Sequence, residues 1–198
     1  MKTVHIYGGA SSDTPPPEQL PGEEKWGINH LWSRAAFRPR YEGWTRWCDL
    51  HTDEHIKSRK HSTYNWLCQQ TRPIVRFWPD PNMNTQLYPH AEVRAMFGGT
   101  RFFCSSFDWM MALALYESFQ RIHLYGWKMS HPVYAHQVKS GQFWIRKALN
   151  AGVDLQNHSP SSLFIVKHDL VEPNLSRCLM YGLETTDRSK LYSHRWAT

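Results

Sequence analysis

From Phe107 to Phe119 the chain is a helix-length run with apolar residues on nearly every face. Such a helix has no side to turn to water, so it must lie between a sheet and neighbouring helices. Its flanks narrow the fold further. Ser105-Ser106 supplies a helix start, and Arg121 to Gly126 follows at once as a β-type run closed by glycine. The same alternation recurs along the chain. Thr3 to Tyr7 reads as a strand ending on Gly8-Gly9, and residues 26–29 and 46–51 read as the next two strands. The spacing of Ile56, Tyr64 and Leu67 predicts one helix over 52–70, capped by Thr52. Residues 73–78 form a further strand, and Pro79-Asp80-Pro81-Asn82 must be loop. An irregular stretch with a helical turn at 90–96 comes next, and after the 121–126 strand a helix is expected over 133–151, with Gly152 as its C-cap and renewed strand character at 153–155. A short helix is expected at about 17–22, following the run of three prolines, and the tail beyond about 168 shows little periodicity. Strand and helix in alternation give a three-layer α/β domain, a mostly parallel sheet with helices on both faces and right-handed crossovers.

At 198 residues the chain has the length of one such domain, so a single domain over 1–198 is expected. Ten Trp, nine Tyr and nine Phe are many, and they either pack the core or line a pocket. A formal charge of +6 favours an acidic partner such as a nucleotide, a polyphosphate or nucleic acid, although the 23 basic residues are scattered rather than run together. Cys48, Cys68, Cys104 and Cys178 form no CxxC pair, which argues against a zinc knuckle or a dense disulfide framework; they read as buried thiols of a reducing compartment. No stretch approaches 18 apolar residues and Met1 leads directly into a strand, so neither a membrane span nor a leader is expected, and the expected location is the cytoplasm.

In open parallel sheets ligands bind beyond the carboxyl ends of the strands, where helix N-termini present free N–H groups. The residues to weigh are therefore those just after each strand. Gly8-Gly9 followed by Ser11 and Ser12 lets backbone N–H groups approach a phosphate, with hydroxyls beside them; the bland alternative is a tight turn. The spacing matches neither GxGxxG nor a P-loop, which disfavours a dinucleotide cofactor and a Walker-type ATPase. Asn29 and His30 follow the second strand. Ser105 and Ser106 precede the apolar helix, where one serine is needed as a cap and the other is left for a ligand. Asp49, His51 and His55 place a carboxylate and two imidazoles after the third strand. They suit a general base oriented by an acid, or a metal site, or a simple capping role, and the HExxH pattern is absent. Gly126, Lys128 and Met129 follow the 121–126 strand, and Tyr134, His136, Gln137 and Lys139 open the next helix.

The Gly-Gly-x-Ser turn after the first strand, Asn29 after the second, Cys104-Ser105-Ser106 before an Ala/Leu-rich helix, and the run Arg121 to Met129 together resemble a known core. It is the Rossmann-like core of the bacterial CMP-sialic-acid-dependent sialyltransferases and of proteins similar to the archaeal 6-hydroxymethylpterin diphosphokinase; small phage proteins show a similar pattern. The resemblance spans about residues 3–165. It implies that Gly8, Gly9, Ser11, Asn29, Ser105 and Ser106 surround a nucleotide. It also implies a histidine base in the later part of the domain, where His131, His136 and His158 lie. The acidic residue often found after the last motif glycine is replaced here by Lys128 or Met129.

Residues and resemblance together lead to the expectation of a transferase moving a glycosyl or diphosphoryl group from a nucleotide-activated donor, with Asp49, His51 and His136 as the catalytic candidates. The expected ligand is a nucleotide or nucleotide sugar, with no permanently bound cofactor and Mg2+ as an optional companion. DNA is a conceivable acceptor on charge and analogy alone, a membrane is not an expected partner, and the sequence does not set the oligomeric state. Two other classes stay open. One is a module that binds a nucleotide or a host protein without turnover; the other is a metal-dependent hydrolase built on Asp49, His51 and His55.

Overall fold

The structure is a computed structural model that describes residues 1–10, 20–33, 42–59, 61–129, 135–159 and 162–164. Its strands are β1 (Thr3–Tyr7), β2 (Glu24–Ile28), β3 (Arg46–Cys48), β4 (Ile74–Arg76), β5 (Thr85–Leu87), β6 (Arg121–Tyr125) and β7 (Asp154–Asn157). Its helices are α1 (Asp53–Arg59), α2 (His61–Cys68), α3 (His90–Met96), α4 (Ser106–Tyr116) and α5 (Ala135–Asn150). The strands form one sheet in the order β5-β4-β3-β2-β1-β6-β7, and each neighbouring pair is parallel. The expected α/β fold is therefore what the chain adopts.

From β1 the chain steps outward to β5, then crosses back to β6 on the other side of β1. Right-handed crossovers that run in opposite directions place the two halves' helices on opposite faces. Ring contacts identify the faces. Ile6 is in register with Trp26, and Trp26 meets Phe119 just after α4 with ring centroids 5.4 Å apart. Gly27 is in register with Trp47, and Trp47 meets Trp66 of α2 at 4.7 Å. Trp47 lies so close over β2 that a Cβ on Gly27 would overlap its indole ring, so only glycine fits there.

Helix α4 is buried from Ser106 to Leu115, as its uniformly apolar sequence requires. It ends at Tyr116 with Glu117 as C-cap, and Ser118 beyond the cap is left-handed at φ 60°: Phe119 N–H reaches the Ala114 carbonyl (3.0 Å) and Ser118 N–H that of Leu115 (3.1 Å). Gly152 closes α5 in the same way, with Val153 N–H on the Ala148 carbonyl. The aromatics belong mainly to the core: Trp26, Trp47, Trp109 and Trp144 are among the largest fully buried side chains. Cys48 and Cys104 are buried and Cys68 is half-buried. Among the described residues no helix is long and apolar enough to cross a membrane.

Three expectations change. The helix expected over 52–70 is two helices, α1 and α2; the stretch Lys57 to His61 between Ile56 and Tyr64 offers no apolar side chain to hold a continuous helix against the core. Thr52 does cap α1, accepting from His55 N–H at 3.3 Å. The third strand stops at Cys48, which puts Asp49, Leu50 and His51 beyond the sheet edge. Strand β5 lies in the stretch expected to be irregular. It has three residues, is largely exposed and joins β4 through only residues 77–84, too short for a helical crossover. The 17–22 helix falls partly outside the described residues; Leu20 and Glu23 form a turn, with Gly22 at φ 85°.

Candidate functional site

The strand order reverses between β1 and β6, so the crevice at their carboxyl ends is the topological switch point. Here the two strands carry matching text, His5-Ile6-Tyr7-Gly8 and His123-Leu124-Tyr125-Gly126, and the register pairs His5 with His123 and Tyr7 with Tyr125. The pairing continues past the strands: Gly8 N–H donates to Tyr125 O (2.7 Å) and Ala10 N–H to Gly126 O (2.9 Å). Trp127 Nε1 donates to Ile6 O (3.1 Å), and Gly126 N–H donates to Ser159 Oγ (2.7 Å). Gly8 thus has a packing duty. A Cβ on it would stand 2.6 Å from Gly126 O and 2.7 Å from the Trp127 ring. Gly9 differs: it is exposed, and a Cβ there would meet nothing within 4 Å.

On the β2 side the register lines up the strand-end residues. Ile6 pairs with Trp26, Ile28 with Cys48 and Cys48 with Val75, so the register, carried past the paired residues, sets Gly9, Asn29 and Asp49 in one row beyond the edge, level with Arg76 at the end of β4. Backbone bonds hold the row: Asn29 N–H donates to Cys48 O (3.0 Å) and Asp49 N–H to Val75 O (3.2 Å). Asn29 has φ 47°, a left-handed conformation that asparagine tolerates, and Trp47 Nε1 donates to its carbonyl at 2.9 Å. Its side-chain Oδ1 is buried and has no hydrogen-bond partner.

Ser105 and Ser106 adjoin this edge through Phe107, whose ring lies 4.9 Å from that of Trp127. Ser105 is the N-cap of α4 in a capping box with Asp108. Asp108 Oδ2 accepts from Cys104 N–H (2.7 Å), Ser105 N–H (2.8 Å) and the Ser140 hydroxyl of α5 (2.8 Å). Burial pushes the Asp108 carboxyl up to about 7. The helix's own carboxyl group therefore takes two N–H groups that an anion would seek, and of the serine pair it is Ser106, at the first position of α4, that the cap does not use.

Beside Asn29, the Asp49 carboxylate is buried and its Oδ1 lies 2.9 Å from His51 Nδ1. A carboxylate partner fixes the hydrogen on Nδ1 and the lone pair on Nε2, the tautomer of an oriented base. His55 stacks on His51 with centroids 4.7 Å apart. The three side chains expected as an alternative metal site do come together, but as a hydrogen-bonded pair and a ring stack. Among the described residues no group of three or more His, Cys, Asp or Glu is set to hold a metal ion.

Sequence reasoning missed a second polar cluster, on the α2 side of β1 and β6. His5 and His123 stack at 4.6 Å, His5 Nε2 lies 3.1 Å from Glu23 Oε2, and His123 Nδ1 lies 2.9 Å from His158 Nε2. Tyr125 stacks on His158 at 4.4 Å. Desolvation by burial lowers all three histidines, His123 to about 4. The repeated His-x-Tyr-Gly text was the available signal. Of the remaining candidates, Ser11, Ser12, His131 and Tyr134 lie outside the described residues, as does the His136 side chain. The His136 backbone opens α5; Gln137 is buried and Lys139 exposed on that helix.

No protein-family model and no curated protein matches the chain. Solved structures do. CstII, a sialyltransferase from Campylobacter jejuni, matches in complex with the substrate analogue CMP-3FNeuAc at TM-score 0.57 and 15% identity, over 88% of each chain. Its complex with cytidine-5′-monophosphate matches at TM-score 0.53 and 15% identity, over 88% of this chain and 87% of that one. The monofunctional α-2,3-sialyltransferase Cst-I of the same organism matches at 0.52 and 12%, over 94% and 90%. At these identities the likeness is one of fold: the chain shares the sialyltransferase-like α/β architecture over most of its length.

Proposed function

We propose that this protein is a glycosyltransferase that uses a nucleotide sugar, with its donor site on the Gly9–Asn29–Asp49 row. The observation that carries this reading is Asn29. It holds a left-handed backbone and a buried side-chain acceptor without a partner, at the carboxyl edge of a parallel sheet next to the switch point. An unmet buried acceptor is costly, and a ligand hydroxyl or amine would satisfy it. The fold shared with sialyltransferases solved with CMP ligands supports the same assignment.

In this reading the backbone at Gly8-Gly9 with Ser11, and Ser106 at the start of α4, receive the donor phosphate, and Asn29 binds the nucleoside. His51, oriented by Asp49, takes the proton of an acceptor hydroxyl as that oxygen bonds to the sugar's anomeric carbon. The anomeric carbon–phosphate oxygen bond breaks, and the nucleotide leaves with its electron pair. His136 in the first turn of α5 is the second candidate base.

The test is donor consumption. The purified chain is incubated with a panel of nucleotide sugars, including CMP-sialic acid, and with glycan and DNA acceptors, each with Mg2+ or with EDTA. At least one donor should be consumed, and His51→Gln should slow turnover about 100-fold or more while His136→Gln does not. Asn29→Ala should weaken binding of the free nucleotide about tenfold in calorimetry. Binding without consumption across the panel would make the protein a nucleotide-binding module, and unchanged affinity in Asn29→Ala would remove the site.

A further inference from the structure

Arg76 is the last residue of β4 and the register neighbour of Asp49. Its side chain is 1% exposed, and a buried guanidinium persists only where anions and acceptors match it. Nη2 donates to the His51 carbonyl (3.1 Å) and to Asp53 Oδ1 (2.5 Å). Nη1 stands 3.6 Å from Asp80 Oδ2 and 3.4 Å from Met83 Sδ. Asp80 is itself held by the Tyr64 hydroxyl (3.0 Å) and by Asn82 N–H (2.8 Å). Three carboxylates thus gather at this corner, and the charges are divided among them. The guanidinium serves Asp53 and Asp80, whereas Asp49 receives the His51 imidazole at 2.9 Å and His51 N–H at 3.4 Å.

We propose that Arg76 is the positioning residue of the Asp49–His51 pair. It pins the backbone at His51 and engages the two other carboxylates, so that Asp49 is left as the partner of the imidazole. This rests on the reading of His51 as the base. A lysine would keep the charge but not the planar fork, which reaches a carbonyl and two carboxylates at once. Arg76 touches no reacting atom; its effect passes through the tautomer and orientation of His51.

The experiment follows the His51 ring nitrogens by 15N–1H NMR in the full chain, with His51→Gln identifying the signal. The wild type should show His51 as the Nδ1–H tautomer with a downfield Nδ1 proton. Arg76→Met should lose that proton signal and populate the Nε2–H tautomer. Asp53→Asn, a milder change at a partly exposed residue, frees the guanidinium to turn to Asp49 and should move the signal in the same direction; it decides the matter if Arg76→Met does not fold. With a donor that the wild type consumes, Arg76→Met should lower kcat about 100-fold and leave the donor KM within a few-fold. A His51 signal unchanged in the folded variants overturns the proposal. A lost signal with full turnover leaves Arg76 in its role and instead refutes His51 as the base.

Discussion

Replacing His123 by Phe should flatten the acid limb of the stability curve. His123 is 8% exposed, stacked on His5, bonded to His158 and near Arg121. Desolvation is the largest cause that lowers it from 6.5 to about 4, and charge on His5, His158 and Arg121 acts the same way, opposed by Glu23. The unfolded chain binds this proton near pH 6.5 and the folded chain only near pH 4. As pH falls through that window, the unfolded state takes up the proton first, so stability present above 6.5 is lost progressively down to about 4. At about 1.4 kcal/mol per pH unit, His123 accounts for roughly 3 kcal/mol of that loss. Asp108 slopes the other way. Its folded value near 7 exceeds the unfolded 3.8, so its contribution is complete at low pH and is lost as pH rises toward 7. The wild-type curve alone therefore mixes opposing terms. The difference between wild type and His123→Phe cancels the Asp108 contribution and leaves that of the His123 cluster, because a phenyl ring keeps the stack on His5 and does not itself titrate. Urea unfolding from pH 7.5 to 4 should show the wild type losing about 3 kcal/mol more than the variant across the window. Curves that run parallel between pH 6.5 and 4 would refute the account of a neutral buried imidazole.

Gly27→Ala drives a methyl into the Trp47 ring, and should cost about 3 kcal/mol in chemical denaturation while also weakening nucleotide binding through the Trp47 bond to Asn29. Gly8→Ala should cost a similar amount, since its Cβ meets the Gly126 carbonyl, whereas Gly9→Ala should leave stability within about 0.5 kcal/mol and reduce affinity for the free nucleotide, checked by thermal melts and calorimetry side by side. Arg46→Met removes a guanidinium bonded to both oxygens of Glu117 (2.6 and 2.7 Å) and to Glu24 (2.6 Å); because all three side chains are only partly buried, about 2 kcal/mol should be lost by urea unfolding.

The fold was legible because its signals are local. An all-apolar run such as Phe107 to Leu115 has one solution, and strands ending on Gly8 and Gly126 mark where the chain turns from the sheet. What failed was what local text does not carry. Thr85–Leu87 is too short and too exposed to show a period, and it becomes a strand by pairing with β4 across an eight-residue connection, with Ile74 N–H on Asn84 O and Tyr88 N–H on Arg76 O at its two ends. The gap in apolar residues after Ile56 is the local sign of the division between α1 and α2, but the helical spacing of Ile56, Tyr64 and Leu67 spans it and reads as one helix.

The site shows the limit more sharply. Gly8 and Gly9 are adjacent and identical in the sequence, and both suit a phosphate-approaching turn. Only the partner strand separates them: Gly8 is glycine for the sake of Gly126 and Trp127, while nothing in the packing asks for glycine at position 9. Ser105 and Ser106 divide in the same way once Asp108 takes the first for the cap. Asn29 and Asp49 are 20 positions apart and become neighbours because the parallel strands β2 and β3 pair Ile28 with Cys48. Arg76 enters that row from the strand expected over 73–78 and was no site candidate, since a guanidinium at a strand end reads as an ordinary solvated charge until Asp53, Asp80 and the His51 carbonyl close around it. A chain of this kind writes its sheet in the spacing of its residues. It writes its chemistry in the row where the strands stop, which exists only after folding.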